Sequence, residues 1–318
     1  MLNSPYALIA DIGGTNARFD LIRENSLEPR FIVNLSVDDF ESIDLAIQAY
    51  LAQVDAVTPA RFCIAIACPT HHDTIKMTNN GWVFSKEALC KQFSLERLDV
   101  INDYAAMAFA AAHLTADQCI QVGGGESLDA FPIAVLGAGT GLGVSGLVRS
   151  AGRAMPIVCE GGHVDFAPTT EQEIDILRWL MRHYDHVSAE RLVSGMGIQN
   201  IYQALADIRG ETVERLSPAS ISQRAFEHND ALARDTLEQF CQIYGSVAGN
   251  LALSYGAQGG VFVTGGIVPK MLKFFVESDF RKRFEAKGRF EDYLASIPTF
   301  VMTSEQPGLL GAAAAIQS

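Results

Sequence analysis

Ala10-Asp11-Ile12-Gly13-Gly14-Thr15-Asn16-Ala17-Arg18 places a carboxylate and a pair of glycines between two apolar runs. Ala7-Leu8-Ile9-Ala10 is of strand length, and Phe19, Leu21 and Ile22 resume an apolar pattern beyond the turn. Glycine has no Cβ, so two in succession allow a tight turn and let a ligand approach the backbone. Amides exposed in this way form an anion-binding concavity, and Asp11 beside them can hold Mg²⁺ through water. The combination suits a nucleotide triphosphate. Over this stretch alone, an ordinary Gly-Gly hairpin with a solvated aspartate would read the same.

A second segment echoes the first. Phe131 to Leu136 predicts a strand, Gly137-Ala138-Gly139-Thr140-Gly141-Leu142-Gly143 a turn, and Val144 to Val148 a further strand. Two strand, glycine-turn, strand units predict an internal repeat at the scale of a domain. Gly141-Leu142-Gly143-Val144-Ser145-Gly146 also satisfies G-x-G-x-x-G, but a dinucleotide site needs a helix to open after those glycines. Here Val144 to Val148 alternates, and Gly152 and Pro156 follow, which predicts a strand. A nicotinamide dehydrogenase is therefore disfavoured. No G-x-x-x-x-G-K-[ST] occurs, which disfavours a P-loop ATPase.

At 318 residues the chain has room for roughly two domains. Its 48% hydrophobic content and 27 glycines describe a folded α/β protein rather than a disordered one. A net charge of −13 argues against nucleic acid or an anionic membrane as partner, since both need a basic surface. No apolar run reaches the about 18 residues of a membrane span. Asp11 interrupts any early apolar stretch, so no signal peptide is expected and the location expected is cytoplasmic. Cys63, Cys68, Cys90, Cys119, Cys159 and Cys241 form no C-x-x-C pair and read as buried thiols in a reducing compartment. His183 and His186 lack a second pair to complete a metal site.

Helices are predicted at about Ser42 to Ala52 and from about Asp230 to Tyr255, and a strand over Phe62 to Ala67. In the long helix Leu237, Phe240, Cys241, Tyr244, Ala248 and Leu251 form the apolar stripe, and Gly245 and Gly249 would admit a neighbouring element closely. Gly256 suits its C-cap. Thr170 and Glu173 make a capping box opening a helix with Ile174, Leu177 and Met181 on one face. Val261 to Thr264 is a strand that ends in Gly265-Gly266, a helix is expected near Val268-Pro269, and an alanine-rich helix closes the chain after Pro307-Gly308-Leu309-Leu310-Gly311.

Asn102-Asp103 lies between the strand Leu98 to Ile101 and the helix from Tyr104 onward. An acid at the carboxyl end of a strand in an α/β sheet stands where ligands bind. Asp103 is thus a candidate general base for a hydroxyl proton; equally, Asn102 or Asp103 could simply cap the helix. Glu160-Gly161-Gly162-His163-Val164-Asp165-Phe166 sets an acid and an imidazole around two glycines, so both could reach one small polar ligand. Glu190, in Ser188-Ala189-Glu190-Arg191, offers a further carboxylate, though alone it reads as a solvated helix charge.

Together these segments, with Gly265-Gly266-Ile267-Val268-Pro269, Asn79 to Trp82 and the terminal Pro-Gly-Leu-Leu-Gly, closely resemble bacterial ATP-dependent glucokinase in order and spacing over essentially the whole chain. The resemblance implies the hexokinase/actin-like superfold: α/β, with two ribonuclease-H-like domains and a central cleft. The expected boundaries are residues 1–110 with 299–318 for the smaller domain and 111–298 for the larger. By matching position, Asp103 would be the base on the glucose 6-hydroxyl, and Asn102, Glu160, His163 and Glu190 would hydrogen-bond the other hydroxyls. Gly13, Gly14 and Thr15, with Gly139, Thr140 and Gly141, would hold the ATP phosphates, and Asn16 would belong to the same cofactor-binding set. Gly265 and Gly266 would lie against the adenosine, and Asp11 would position Mg²⁺. A homodimer is implied as well. The neighbouring repressor/kinase family carries a cysteine zinc cluster after its E-x-G-H motif; Val164-Asp165-Phe166-Ala167-Pro168 stands there instead, so no zinc is expected. Met196 occupies a position where proline is expected. Rival readings are a kinase for another hexose or amino sugar, a non-catalytic sugar sensor and an actin-type structural protein. The sensor usually adds a helix-turn-helix, for which Met1 to Tyr6 leave no room, and an actin-type protein would not need the Glu160 to His163 cluster.

Overall fold

The computed structural model describes residues 6–56, 58–78, 80–150 and 152–318. Asn79 and the residues before Tyr6 lie outside that set. The chain divides into two compact units: Met1–Thr115, Leu147–Val158 and Ser304–Ser318 make the first, Ala116–Gly146 and Cys159–Thr303 the second.

In the first unit β1 (Tyr6–Ile12) and β2 (Asn16–Arg23) flank the first glycine turn, and β3 (Val33–Ser36) extends the antiparallel run. After α1 (Ile43–Gln53) and β4 (Arg61–Ile66), a hairpin of β5 (Thr74–Lys76) and β6 (Val83–Ser85) leads into α2 (Lys86–Phe93), β7 (Arg97–Asn102) and α3 (Asp103–Ala111). β4 pairs in parallel with β1 and β7, which gives the order β3-β2-β1-β4-β7. Leu8, Ile9 and Ala10 are all buried, as expected of a strand covered on both faces.

The second unit repeats the plan. β8 (Cys119–Val122) precedes β9 (Ile133–Ala138), the second glycine turn and β10 (Leu142–Ser150), followed by β11 (Arg153–Val158). Residues 147–158 of β10 and β11 are counted with the first unit. Then come α4 (Glu171–Met181), α5 (Gly195–Ile208), α6 (Pro218–Glu227), α7 (Ala231–Tyr255), β12 (Val261–Thr264), α8 (Leu272–Glu277), α9 (Phe280–Glu285), α10 (Glu291–Ala295) and β13 (Thr299–Met302). The sheet order is β11-β10-β9-β12-β13-β8, with β9, β12 and β13 parallel. Its first five members match the first sheet position for position, so the repeat seen in the glycine turns extends to the topology. G-x-G-x-x-G runs from the turn at Gly141 into β10 and opens no helix.

α7 runs from an Asp230 cap, whose side chain accepts from the Ala233 amide, to Gly256 in the left-handed conformation at φ +60°. A Cβ on Gly245 would fall well inside 3.0 Å of the Phe280 carbonyl, and one on Gly249 would lie 2.5 Å from that of Phe284, so α9 packs onto the bare backbone. The Tyr244 hydroxyl donates to the Leu136 carbonyl and accepts from the Ala138 amide, both at 3.2 Å. That pins α7 to the end of β9, just before the glycine turn.

Two local expectations are corrected. The buried face of α4 is Glu173, Ile176 and Leu180, while Met181 is 66% exposed and Leu177 only half-buried. Glu173 is inside because Arg283 pairs with its carboxylate at 2.8 Å and Gln239 donates to it at 3.1 Å. The Thr170 side chain does cap the Glu173 amide, but the Glu173 carboxylate turns to the Thr169 amide, 2.7 Å away, rather than completing the reciprocal box at Thr170. Of the cysteines, all free, only Cys63, Cys68 and Cys241 are buried; Cys90, Cys119 and Cys159 are half-buried.

The chain ends in α11 (Pro307–Gln317), which belongs to the first unit. A Cβ on Gly311 would overlap the Ala106 carbonyl, so α11 lies directly on the backbone of α3.

Candidate active site

In the first unit the candidate residues gather at the ends of β1 and β7, the two strands that flank β4. The Gly13 amide bonds across the turn to the Asn16 carbonyl at 2.9 Å. Gly13 therefore closes the turn, and the amides of Gly14 and Thr15 are left without an acceptor among the described residues. The Thr15 carbonyl accepts from the Val37 amide at 2.9 Å, and Asn16 donates to the Thr15 hydroxyl at 2.9 Å. Sequence reasoning gave no role to Asn80, whose side-chain amide donates to the Gly13 carbonyl at 3.2 Å and braces the turn from outside.

Asp11 stands beside this turn against α11: a Cβ on Gly308 would overlap its carboxylate. Burial pushes the Asp11 carboxyl up, while the Arg18 guanidinium at 3.3 Å opposes that rise. Arg18 was quoted in the motif but not recognised as the partner of Asp11. Only the pairing of β1 with β2, which sets Asp11 opposite Arg18, shows it.

Asn102 caps α3: its Oδ1 accepts from the Tyr104 amide at 2.9 Å and more loosely from that of Ala105 at 3.4 Å. The capping alternative is thus real for Asn102, though capping uses its oxygen alone. Asp103 is the first residue of α3. Burial pushes its carboxyl up to about 6; the Tyr104 amide works against this, and the charge of Asp11 adds to it. A half-buried carboxylate raised in this way, at the carboxyl end of a parallel strand, is suited to accept a proton.

In the second unit, two segments predicted to serve one ligand run side by side. The Ala189 amide donates to the Val164 carbonyl at 2.8 Å, the Phe166 amide to the Val187 carbonyl at 2.9 Å, and Asp165 bridges Ser188. These bonds align Glu160, in the cap of the Gly161–His163 3-10 turn, and His163 with Glu190 in the Ala189–Arg191 turn. His183 and His186 are engaged elsewhere, on the Trp179 carbonyl and Asp165, both at 2.8 Å. Among the described residues no group of three or more His, Cys, Asp or Glu could hold a metal ion.

The second glycine turn repeats the first in its bonding. The Gly139 amide closes on the Gly141 carbonyl at 2.8 Å, and the amides of Thr140 and Gly141 are left without an acceptor among the described residues. Gly265, at φ +88°, has its Cα packed on the Ala138 carbonyl, and the Ile267 amide donates to that same carbonyl at 3.3 Å. Gly265 and Gly266 are thereby brought to the start of the turn, and Gly266 opens onto free space. Met196 sits in the first turn of α5, where proline would be tolerated. Its thioether lies 3.5 Å from the Arg191 guanidinium instead.

The glucokinase family model matches residues 8–318. The chain belongs to the glucokinase family. It is therefore a sugar kinase with the actin-like, two-domain ATPase fold. Relatives from Hahella chejuensis and Cronobacter sakazakii, both named glucokinase, are each 45% identical to it, over 100% of this chain and 99% of the former, and 97% and 96% for the latter. A crystal structure of a glucokinase from an Antarctic psychrotroph superposes with a TM-score of 0.94 at 38% identity, covering 99% of each chain. A glucokinase of the ROK family from Streptomyces griseus, solved with glucose and AMPPNP, shares the fold alone, at a TM-score of 0.59 and 16% identity over 97% of this chain and 98% of that one. Among the described residues no helix is long and apolar enough to cross a membrane.

Proposed function

We propose that this chain transfers the γ-phosphoryl group of ATP to the 6-hydroxyl of D-glucose, giving glucose 6-phosphate and ADP, with Asp103 as the general base. The observation that carries the catalytic part is the Asp103 carboxyl, held at a strand end and raised to about 6. At that value it is ionised at neutral pH yet still basic enough to take a hydroxyl proton as the phosphoryl group arrives. Asn102, with its oxygen committed to the α3 cap, shares its side-chain NH₂ between the Asp103 carboxylate and a sugar hydroxyl. Glu160, His163 and Glu190 take the remaining hydroxyls. The alignment of their two segments supports one shared ligand.

The phosphates fall to the two glycine turns, Gly13 to Asn16 and Gly139 to Gly141, through the amides of Gly14, Thr15, Thr140 and Gly141. Gly265 and Gly266 give the adenosine an unobstructed backbone. Phosphoryl transfer asks chiefly for alignment and charge stabilisation, and orientation alone can supply roughly 7–11 kcal/mol. Asp11 fits Mg²⁺: it is a partly buried carboxylate beside the first glycine turn, paired on one side only with Arg18, and Mg²⁺ commonly binds through one carboxylate, waters and substrate phosphates. When bound, the ion would neutralise charge on the transferring group.

ADP release measured with ATP, Mg²⁺ and a panel of hexoses, beside Asp103→Asn, tests the assignment. Glucose-dependent turnover that vanishes in the variant supports it. Turnover on another hexose alone redirects the substrate, and tight glucose binding without ADP would leave a sensor. The reading includes a cytoplasmic homodimer, for which family resemblance is the support; sedimentation of the purified chain as a monomer would remove the dimer.

A further inference from the structure

Glu190 touches the phosphate turn as well as the proposed sugar. Its Oε2 accepts from the Leu142 amide at 2.9 Å, and a Cβ placed on Gly141 would overlap that same oxygen. Its other oxygen, Oε1, has no hydrogen-bond partner among the described residues. One further bond and one close packing fasten the same turn to the sugar-side segments. The Gly195 amide donates to the Gly139 carbonyl at 2.8 Å, and Gly162, between Glu160 and His163, packs its Cα onto the Leu142 carbonyl. Gly139, two residues before Gly141, differs: a Cβ there would meet nothing within 4 Å.

We propose that Gly141 is a positioning residue for the sugar carboxylate, and that the Glu190–Leu142 bond couples sugar binding to the phosphate-binding turn. The proposal rests on Glu190 being a sugar ligand as read above. One carboxylate oxygen is held by the turn, which leaves Oε1 aimed by that bond for a sugar hydroxyl. The amide that Glu190 holds is the one following Gly141, so ordering the carboxylate orders the turn. Coupling of this kind is reciprocal: glucose raises nucleotide affinity by the factor with which nucleotide raises glucose affinity. Glycine at 141 is required by Glu190 as much as by any phosphate.

The test is glucose affinity by calorimetry without nucleotide, with folding checked by circular dichroism. Gly141→Ala is expected to weaken glucose binding by about tenfold or more, the scale of a lost hydrogen bond to a charged group. Gly139→Ala, in the same turn, is expected to stay within about twofold for glucose. In a Glu190→Ala background, Gly141→Ala should cost nothing further, because the atom it displaces is gone. Undiminished glucose affinity in Gly141→Ala, or additive losses in the double variant, overturns the coupling while leaving Glu190 as a sugar ligand. A wild-type chain that binds no glucose instead overturns the functional reading and the coupling with it. Should Gly141→Ala fail to fold, exchange of the Leu142 amide decides: it should be slowed by glucose in the wild type and accelerated in Glu190→Ala, and exchange unchanged in both overturns the proposal.

Discussion

Asp103 owes its chemistry to where α3 begins. Placed at a strand end and largely shielded from water, it keeps a carboxyl raised to about 6. Replacement by asparagine preserves shape and removes the basic oxygen, so kcat is expected to fall by ~10²–10⁴-fold with glucose affinity within about tenfold. In the wild type kcat/KM for glucose should drop as pH falls through about 6, because the proposed base must be unprotonated. Stability runs the other way. The folded chain holds this proton more tightly than the unfolded chain, whose carboxyl titrates at about 3.9, so the contribution favours folding at low pH and is lost as pH rises to about 6. Asp103→Asn should therefore raise Tm over the wild type more at about pH 8 than at about pH 5, measured by thermal melts. The sequence placed Asp103 at the carboxyl end of a strand. The raised carboxyl was not legible there, because it depends on burial and on Asp11, far off in sequence.

Elements meet where side chains are missing. Gly245 in α7 admits the Phe280 carbonyl of α9, so Gly245→Ala should cost about 1–3 kcal/mol by overpacking, read from urea denaturation. Gly81→Ala, which enters open space, should stay within about 0.5 kcal/mol. Gly308 admits the Asp11 carboxylate at the first turn of α11. Gly308→Ala should displace that carboxylate and lower kcat by ~10²-fold, with the far-ultraviolet spectrum unchanged. Gly245 and Gly249 were readable as an approach site, because their spacing falls on one helix face, though nothing local named α9 as the partner. The α4 stripe was misread for a related reason. Ile174, Leu177 and Met181 fit an apolar pattern, but Arg283 and Gln239 draw Glu173 inside and rotate the buried face towards it. A window of α4 alone holds no sign of either.

At the scale of the molecule the duplication was legible from two glycine turns, because each turn joins two neighbouring strands of its sheet. The strand orders carry it through five positions of each. The chain's route between the units was harder to see, since hydropathy does not mark where a segment changes allegiance. The first unit is assembled from three separate stretches, the last being Ser304–Ser318. Removing that stretch should unmake the first unit alone: the Leu8, Ile9 and Ala10 amides should lose hydrogen-exchange protection while α7 keeps its own. Equal loss in both would show that the two cores do not fold separately.

The placement of α11 also sets an order in time. The elements that carry Asp11 and Asp103 precede the whole of the second unit in the chain, yet α11, which lies on α3 and flanks Asp11, follows it. In a chain that emerges N-terminus first, the first unit is therefore begun before the second and closed after it. Until α11 arrives, α3 lacks the helix that covers it.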